Sequence, residues 1–139
     1  MKINQIFKAY DIRGIYPQEV NEGLAYKIGQ AFIEYTRGKE VVVGQDCRLS
    51  SPSLFEAITR GITDRGAKVY NIGQVSTDCL YFTVGHYGYD GGLMITASHN
   101  PKEYNGFKMV EKGVEIISGI EIGKKIEKID FSKVKKKGS

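Results

Sequence analysis

The amino-acid sequence predicts a single-domain, three-layer α/β/α sandwich, with helices on both faces of a mixed, mostly parallel sheet. Short apolar or β-branched runs alternate with stretches whose apolar residues recur at helical spacing, which points to strands joined by helical crossovers. The run Leu93-Met94-Ile95 is apolar at consecutive positions, as a strand covered on both faces must be. A length of 139 residues, 41% of them hydrophobic, suits one domain with its own core.

The elements follow in order. Leu24, Ala25, Ile28, Ala31, Phe32 and Tyr35 form one stripe of a helix over 21–36, with Asn21 as its N-cap. Val41-Val42-Val43-Gly44 reads as a buried strand. Ser50-Ser51-Pro52 opens a second helix, with Ser51 as the cap and Pro52 at the first helical position. Its inner face is Leu54, Phe55, Ile58 and Ile62, and Gly66 ends it in the left-handed conformation. Lys68 to Ile72 is the next strand. Val75-Ser76-Thr77-Asp78 caps a third helix over about 79–87, whose Tyr81, Phe82 and Tyr87 belong to the core and whose His86 lies at the surface. Gly91-Gly92 leads into a strand through Leu93-Met94-Ile95-Thr96. Gly106 to Val110 forms a further strand, and a last helix covers about 119–129. The domain is therefore placed at 1–129, with 130–139 as a Lys-rich linker.

The net charge of +4 is local rather than spread. Residues 123–139 hold seven Lys against Glu127 and Asp130, a local +5 that leaves −1 for the rest of the chain. A nucleic-acid-binding domain distributes its cations along a face or groove, so nucleic acid is not expected as a partner. No run of about 18 apolar residues exists, and Met1-Lys2-Ile3-Asn4-Gln5 has no signal-peptide core. The expectation is a cytoplasmic protein with no membrane partner. Cys47 and Cys79 are too few and too far apart for a disulfide framework or a zinc site, and read as ordinary buried or half-exposed thiols.

In such sheets, ligands bind on the loops that leave the carboxyl ends of the strands. Three segments carry reactive or phosphate-handling groups there: Phe7-Lys8-Ala9-Tyr10-Asp11-Ile12-Arg13-Gly14, Gly44-Gln45-Asp46-Cys47-Arg48, and Thr96-Ala97-Ser98-His99-Asn100-Pro101 with Lys108 beyond it. Ser98 lies just past a buried strand, and Pro101 holds Asn100 extended and stiffens the loop. The flanks do not match the Gly-x-Ser-x-Gly elbow of hydrolases, and His99 is badly placed to act as base for its own neighbour. A phosphorylated serine fits better. It carries about −1.5 to −2 charges and needs cations nearby, which His99, Lys108 and Arg13 supply if the loops converge. Phosphoryl transfer then asks mainly for positioning and charge neutralisation. Arg48 is read as an anchor of the Ser50–Pro52 turn or a partner of Asp46, and Asp11 as the group that holds Arg13.

Thr96-Ala97-Ser98-His99-Asn100-Pro101 followed by Glu103-Tyr104-Asn105-Gly106-Phe107-Lys108 resembles the phosphoserine loop of the α-D-phosphohexomutase superfamily. Phe7 to Gly14 resembles the N-terminal signature of its phosphomannomutase/phosphoglucomutase branch, and Gly44-x-Asp46-x-Arg48 with Ser50-Ser51-Pro52 is a third match in the same order. The resemblance implies that a phosphoserine passes its phosphoryl group to a hexose 1- or 6-phosphate, giving a hexose 1,6-bisphosphate that reorients and returns the other group. By position Ser98 is the phosphoserine and one Mg²⁺ ligand. Lys108 and Arg13 handle protons or charge, His99 supports the loop, and Tyr10 and Asn100 face the substrate.

The same resemblance implies four domains. The Asp-rich metal loop and the sugar-recognition loops belong to domains 2–4, and no Asp-Gly-Asp-x-Asp run occurs here. The fragment alone is therefore expected to be inactive. Two other readings remain open: a phosphoglucosamine mutase-type enzyme, or a non-catalytic phosphosugar- or partner-binding module of the same fold.

Overall fold

A computed structural model of the chain describes residues 6–132. Six strands form one sheet: β1 (Ile12–Ile15), β2 (Glu40–Gln45), β3 (Lys68–Gln74), β4 (Gly91–Ile95), β5 (Tyr104–Glu111) and β6 (Glu115–Ile116). Their order is β1-β5-β4-β2-β3, with β6 beside the far end of β5. β2 runs parallel to both β3 and β4, whereas β5 is antiparallel to β4, β1 and β6. Among the described strands only β5 runs against the others, so the sheet is mixed and mostly parallel, as the sequence predicts.

The two sheet faces follow from the period-2 alternation of side chains. Val41, Val43, Leu93, Ile95, Phe107 and Met109 join one core with α1 (Glu22–Thr36), α2 (Ser51–Asp64) and α4 (Gly119–Lys128). Val42, Met94 and Val110 join a smaller core with Leu80 and Val84 of α3 (Thr77–Tyr87). All five residues of β4 are buried, because helices lie over both of its faces. No helix among the described residues is long and apolar enough to cross a membrane.

Helix ends match the capping signals, with one correction. Asn21 Oδ1 accepts from the Leu24 amide at 2.9 Å, and Ser76 Oγ accepts from the Cys79 amide at 3.1 Å. On α2 the cap is Ser50, not Ser51, and Pro52 is the second helical residue. Ser51 is buried because its hydroxyl is drawn to Asp46 Oδ1 at 2.7 Å instead of to the helix amides.

Other expectations shift. Phe82 and Tyr87 are 64% and 68% exposed rather than core, because α3 buries only Leu80 and Val84 and its outer face has no further layer. Phe82 stacks on His86 instead, ring centroids 5.0 Å apart. Both cysteines are exposed free thiols. Strand β1 begins within the Phe7–Gly14 segment, where no alternating pattern marked it. β5 begins at Tyr104, two residues before the Gly106 start expected from the sequence. At the C-terminal end, Phe131 sits beneath Lys27 at 5.5 Å, and 133–139 of the expected linker lie outside the described residues, as do Met1–Gln5.

The α1–α2 crossing needs glycine on both sides. A Cβ on Gly61 would stand 2.2 Å from the Tyr26 carbonyl oxygen, and one on Gly29 would stand 2.5 Å from that of Ile58. The helix backbones touch there, and buried Gln30 is satisfied alongside by Tyr26 and Arg65. Gly61→Ala should therefore destabilise the domain by about 1–3 kcal/mol, seen as a lower Tm in thermal denaturation.

At the sheet's opposite end from the loops described below, Asp90 Oδ2 accepts from the Lys39 and Glu40 amides at 2.9 and 3.0 Å. These bonds hold its pKa below the ordinary 3.8. A depressed carboxylate stabilises the fold above its unfolded pKa, and that contribution disappears as pH falls through the folded value. Asp90→Asn should thus cost stability at pH 7, with the difference from the parent chain closing below pH 3.8 in urea titrations at several pH values.

Candidate functional site

The parallel pair β2 and β4 ends in register at Gln45 and Ile95, and the Asp46 amide donates to the Ile95 carbonyl at 3.0 Å. β5 enters the sheet at this same end, with Ile15 of β1 opposite Tyr104. The three segments singled out in the sequence therefore meet at the carboxyl end of the parallel strands, where α/β sheets bind ligands.

Arg48 joins two of them. Its Nη1 donates to the carbonyls of Pro101 (2.8 Å) and Tyr104 (3.0 Å), and its Nη2 to those of Ser98 and Asn100 (both 2.9 Å). Its Nε bonds Asp46 Oδ2 at 3.1 Å. All five guanidinium N–H groups are thereby used. Asp46 is fixed in turn by the Ser51 hydroxyl and the Arg48 amide. Asn105, fully buried, donates to Ser50 Oγ at 2.7 Å and Ser51 Oγ at 3.1 Å, which ties β5 to the start of α2. The sequence reading placed Arg48 against Asp46 correctly, but gave no role to Asn105 and none to Arg48 on the serine loop. A buried amide leading into an apolar strand is the signal that Asn105 offers.

Ser98 stands at the exposed crest of this loop with φ +55°. A left-handed backbone costs a non-glycine residue about 1–2 kcal/mol, so the loop holds it there against its preference. The Ser98 amide donates to Thr96 Oγ1 at 3.0 Å, and the Asn100 amide to the Ala97 carbonyl at 3.1 Å. His99 is exposed beside it.

The Phe7–Gly14 segment and strand β5 each bring one cation here, Arg13 and Lys108. Arg13 Nη1 donates to Asn100 Oδ1 at 2.9 Å, which brings β1 to the serine loop. Asp11, 5% exposed, sets Oδ2 at 3.2 Å from Arg13 Nε and 3.3 Å from Lys108 Nζ. Arg13 Nε lacks hydrogen-bond geometry to any acceptor, so the Asp11–Arg13 contact is an ion pair. Asp11 holds Arg13, as expected, and holds Lys108 as well.

An open cleft of about 780 Å³ is lined by Ser98, Asn100, Arg48, Ser50 and Ser53. Tyr16 also lines it, its hydroxyl donating to Glu22 at 2.5 Å while Ser53 donates to the same oxygen at 2.7 Å. These two bonds hold the Glu22 carboxyl below its usual pKa, and the Glu22 partner pushes the Tyr16 phenol up. A second depression of about 450 Å³ is lined by Lys8 and Arg13 and shares Asn100 with the first. Tyr10 is 73% exposed and lines neither hollow.

The residues do not make a Mg²⁺ site by themselves. Among the described residues no three His, Cys, Asp or Glu come together. Asp46 and Asp11, the carboxylates nearest in the network, are committed to cations. A hard cation wants about six oxygen ligands, and the exposed Ser98 could give it one of them.

The strain at Ser98 gives a direct prediction. Ser98→Gly should be more stable than Ser98→Ala by about 1 kcal/mol, because glycine takes positive φ freely. Chemical denaturation of the two variants measures the difference.

Residues 4–133 match the model of the phosphoglucomutase/phosphomannomutase α/β/α domain I. A phosphomannomutase of Salmonella typhimurium is 50% identical over 113 residues, covering 81% of this chain and 25% of that protein. One from Vibrio cholerae is 42% identical over 148 aligned positions, covering 100% and 32%. A solved phosphoglucomutase/phosphomannomutase family protein from Burkholderia thailandensis superposes with a TM-score of 0.85 at 37% identity, covering 96% of this chain and 32% of that one. The chain thus spans about a quarter to a third of the length of these relatives. Taken with the architecture and the converged serine loop, the match places the chain in the phosphoglucomutase/phosphomannomutase family as its α/β/α domain I.

Proposed function

We propose that the chain is the phosphoserine-bearing part of a phosphomannomutase/phosphoglucomutase that interconverts hexose 1-phosphate and hexose 6-phosphate through a bound hexose 1,6-bisphosphate. The observation that carries this reading is Ser98, exposed, left-handed and held from behind by four carbonyl contacts to Arg48. A loop this constrained presents one hydroxyl at a fixed place, and phosphoryl transfer depends on such positioning.

In the forward step a sugar hydroxyl attacks the phosphorus on Ser98. The Ser98 O–P bond breaks and a sugar O–P bond forms, while the sugar hydroxyl gives its proton to a nearby base and the freed Ser98 oxygen takes up a proton to become a hydroxyl. After the bisphosphate turns over, the serine oxygen takes back the other phosphoryl group by the reverse exchange. Arg13 and Lys108, bound together through Asp11, neutralise the charge that develops and are the proton-handling candidates. Asn100 links Arg13 to the loop and borders both hollows, which fits a role at the substrate. His99 supports the loop and phosphate from its outer side, and Tyr10 reaches substrate from outside the two hollows. Mg²⁺ would supply Lewis-acid charge at the Ser98 phosphate, with its other ligands coming from outside this chain. The hexose phosphate would be selected by the further domains that the family implies.

The test is the intact mass of the complete four-domain protein after incubation with a hexose 1,6-bisphosphate, beside Ser98→Ala. One added phosphoryl group on the parent and none on the variant is expected, with mutase turnover lost in the variant. Equal activity in both would mean a binding module instead. The 139-residue chain on its own should show little or no turnover in a coupled assay.

A further inference from the structure

We infer that Arg48 is the positioning residue of the reacting serine: it touches no reacting atom, and fixes where Ser98 stands by gathering four carbonyl oxygens of the loop onto one guanidinium. The inference rests on the proposed role of Ser98 as phosphoryl carrier.

Arg48 lines the cleft and is the cation bound most intimately to the serine loop, which makes it look like a phosphate ligand. Its bonding excludes that role. Every N–H donor is spent, four on the carbonyls of Ser98, Asn100, Pro101 and Tyr104 and one on Asp46. A phosphate would gain a donor only by releasing the loop. The arrangement also needs arginine specifically. A planar fork reaches four oxygens at once, whereas lysine offers a single ammonium point with three donors. The gathered oxygens are the negative ends of four peptide dipoles beside a residue that would carry a phosphate dianion, and the guanidinium offsets them. Asp46 keeps the fork aimed, and through Ser51 and Asn105 the same network reaches β5, the strand that carries Lys108. Serine and lysine are thereby held in one frame.

The decisive experiment uses the complete protein with Arg48→Lys and Arg48→Ala, the latter with and without methylguanidinium. Misplacing a reacting group by about 1 Å costs about 100-fold in rate. We therefore expect kcat to fall about 100-fold in both variants, with KM little changed, and added methylguanidinium to recover part of the loss in Arg48→Ala alone. A kcat close to the parent's in either variant, or a loss carried by KM alone, would overturn the inference. Amide hydrogen exchange of the same proteins provides a readout that needs no turnover. The Asn100 and Tyr104 amides, bonded to Ala97 and Pro101, should exchange faster while Val42 and Leu93 in the core stay protected. Unchanged loop exchange in Arg48→Lys sinks the proposal. If Arg48→Ala loses core protection too, Arg48→Lys decides. If the parent takes no phosphoryl group at Ser98, the proposed function fails, and loop exchange still tells whether Arg48 holds the loop.

Discussion

One guanidinium, bonded to a loop 50 residues further along the chain, is the constraint on which the site depends. Carbonyl groups in a tight loop need partners when water is kept from them, and a single planar donor set can serve four only if they converge. That convergence bends residues 98–104 around Arg48 and leaves Ser98 on the outside, in a backbone conformation that it would not adopt alone. The pairing with Asp46 keeps the buried charge compensated. Side-chain exposures of 13% and 21% leave this contact largely sheltered from water.

The reversed strand is the second organising feature. Because β5 runs against β4 and β1, its first residues lie at the carboxyl end of the parallel strands, where the serine loop already is. Alternation along β5 then separates two tasks. Asn105 points to the α2 side and locks Ser50 and Ser51, while Lys108 shares the opposite face with Val110 and reaches Asp11. One strand therefore ties down the start of α2 from one face and supplies a cation from the other.

Charge distribution at the site is one-sided. Asp11 is shared between Arg13 and Lys108, and Asp46 is bound to Arg48. The two carboxylates of this network are thereby committed to cations. Such a division suits the proposed role, in which this domain would contribute the phosphoryl carrier while metal and sugar contacts come from elsewhere. The α3 layer shows a related incompleteness. Its outer aromatic residues, Phe82 and Tyr87, stay exposed because two buried side chains are all that this helix needs against the sheet.

The sequence by itself determined the layer architecture, the helix stripes, most caps and the three chemical segments. Each of these is written locally, in spacings of two or about 3.6 residues or in a motif. Tertiary structure alone decided the rest. Strand β1 is four residues long and exists because β5 pairs with it. Ser51 is not the cap because its hydroxyl is taken up on both sides, donating to Asp46 and accepting from Asn105. Phe82 and Tyr87 read as core by residue type but lie where no further layer covers them. The role of Arg48 was hidden for the same reason. A guanidinium's five donors are visible in the sequence, whereas the acceptors they find, here contributed by residues 46, 98, 100, 101 and 104, become neighbours only when the chain has folded.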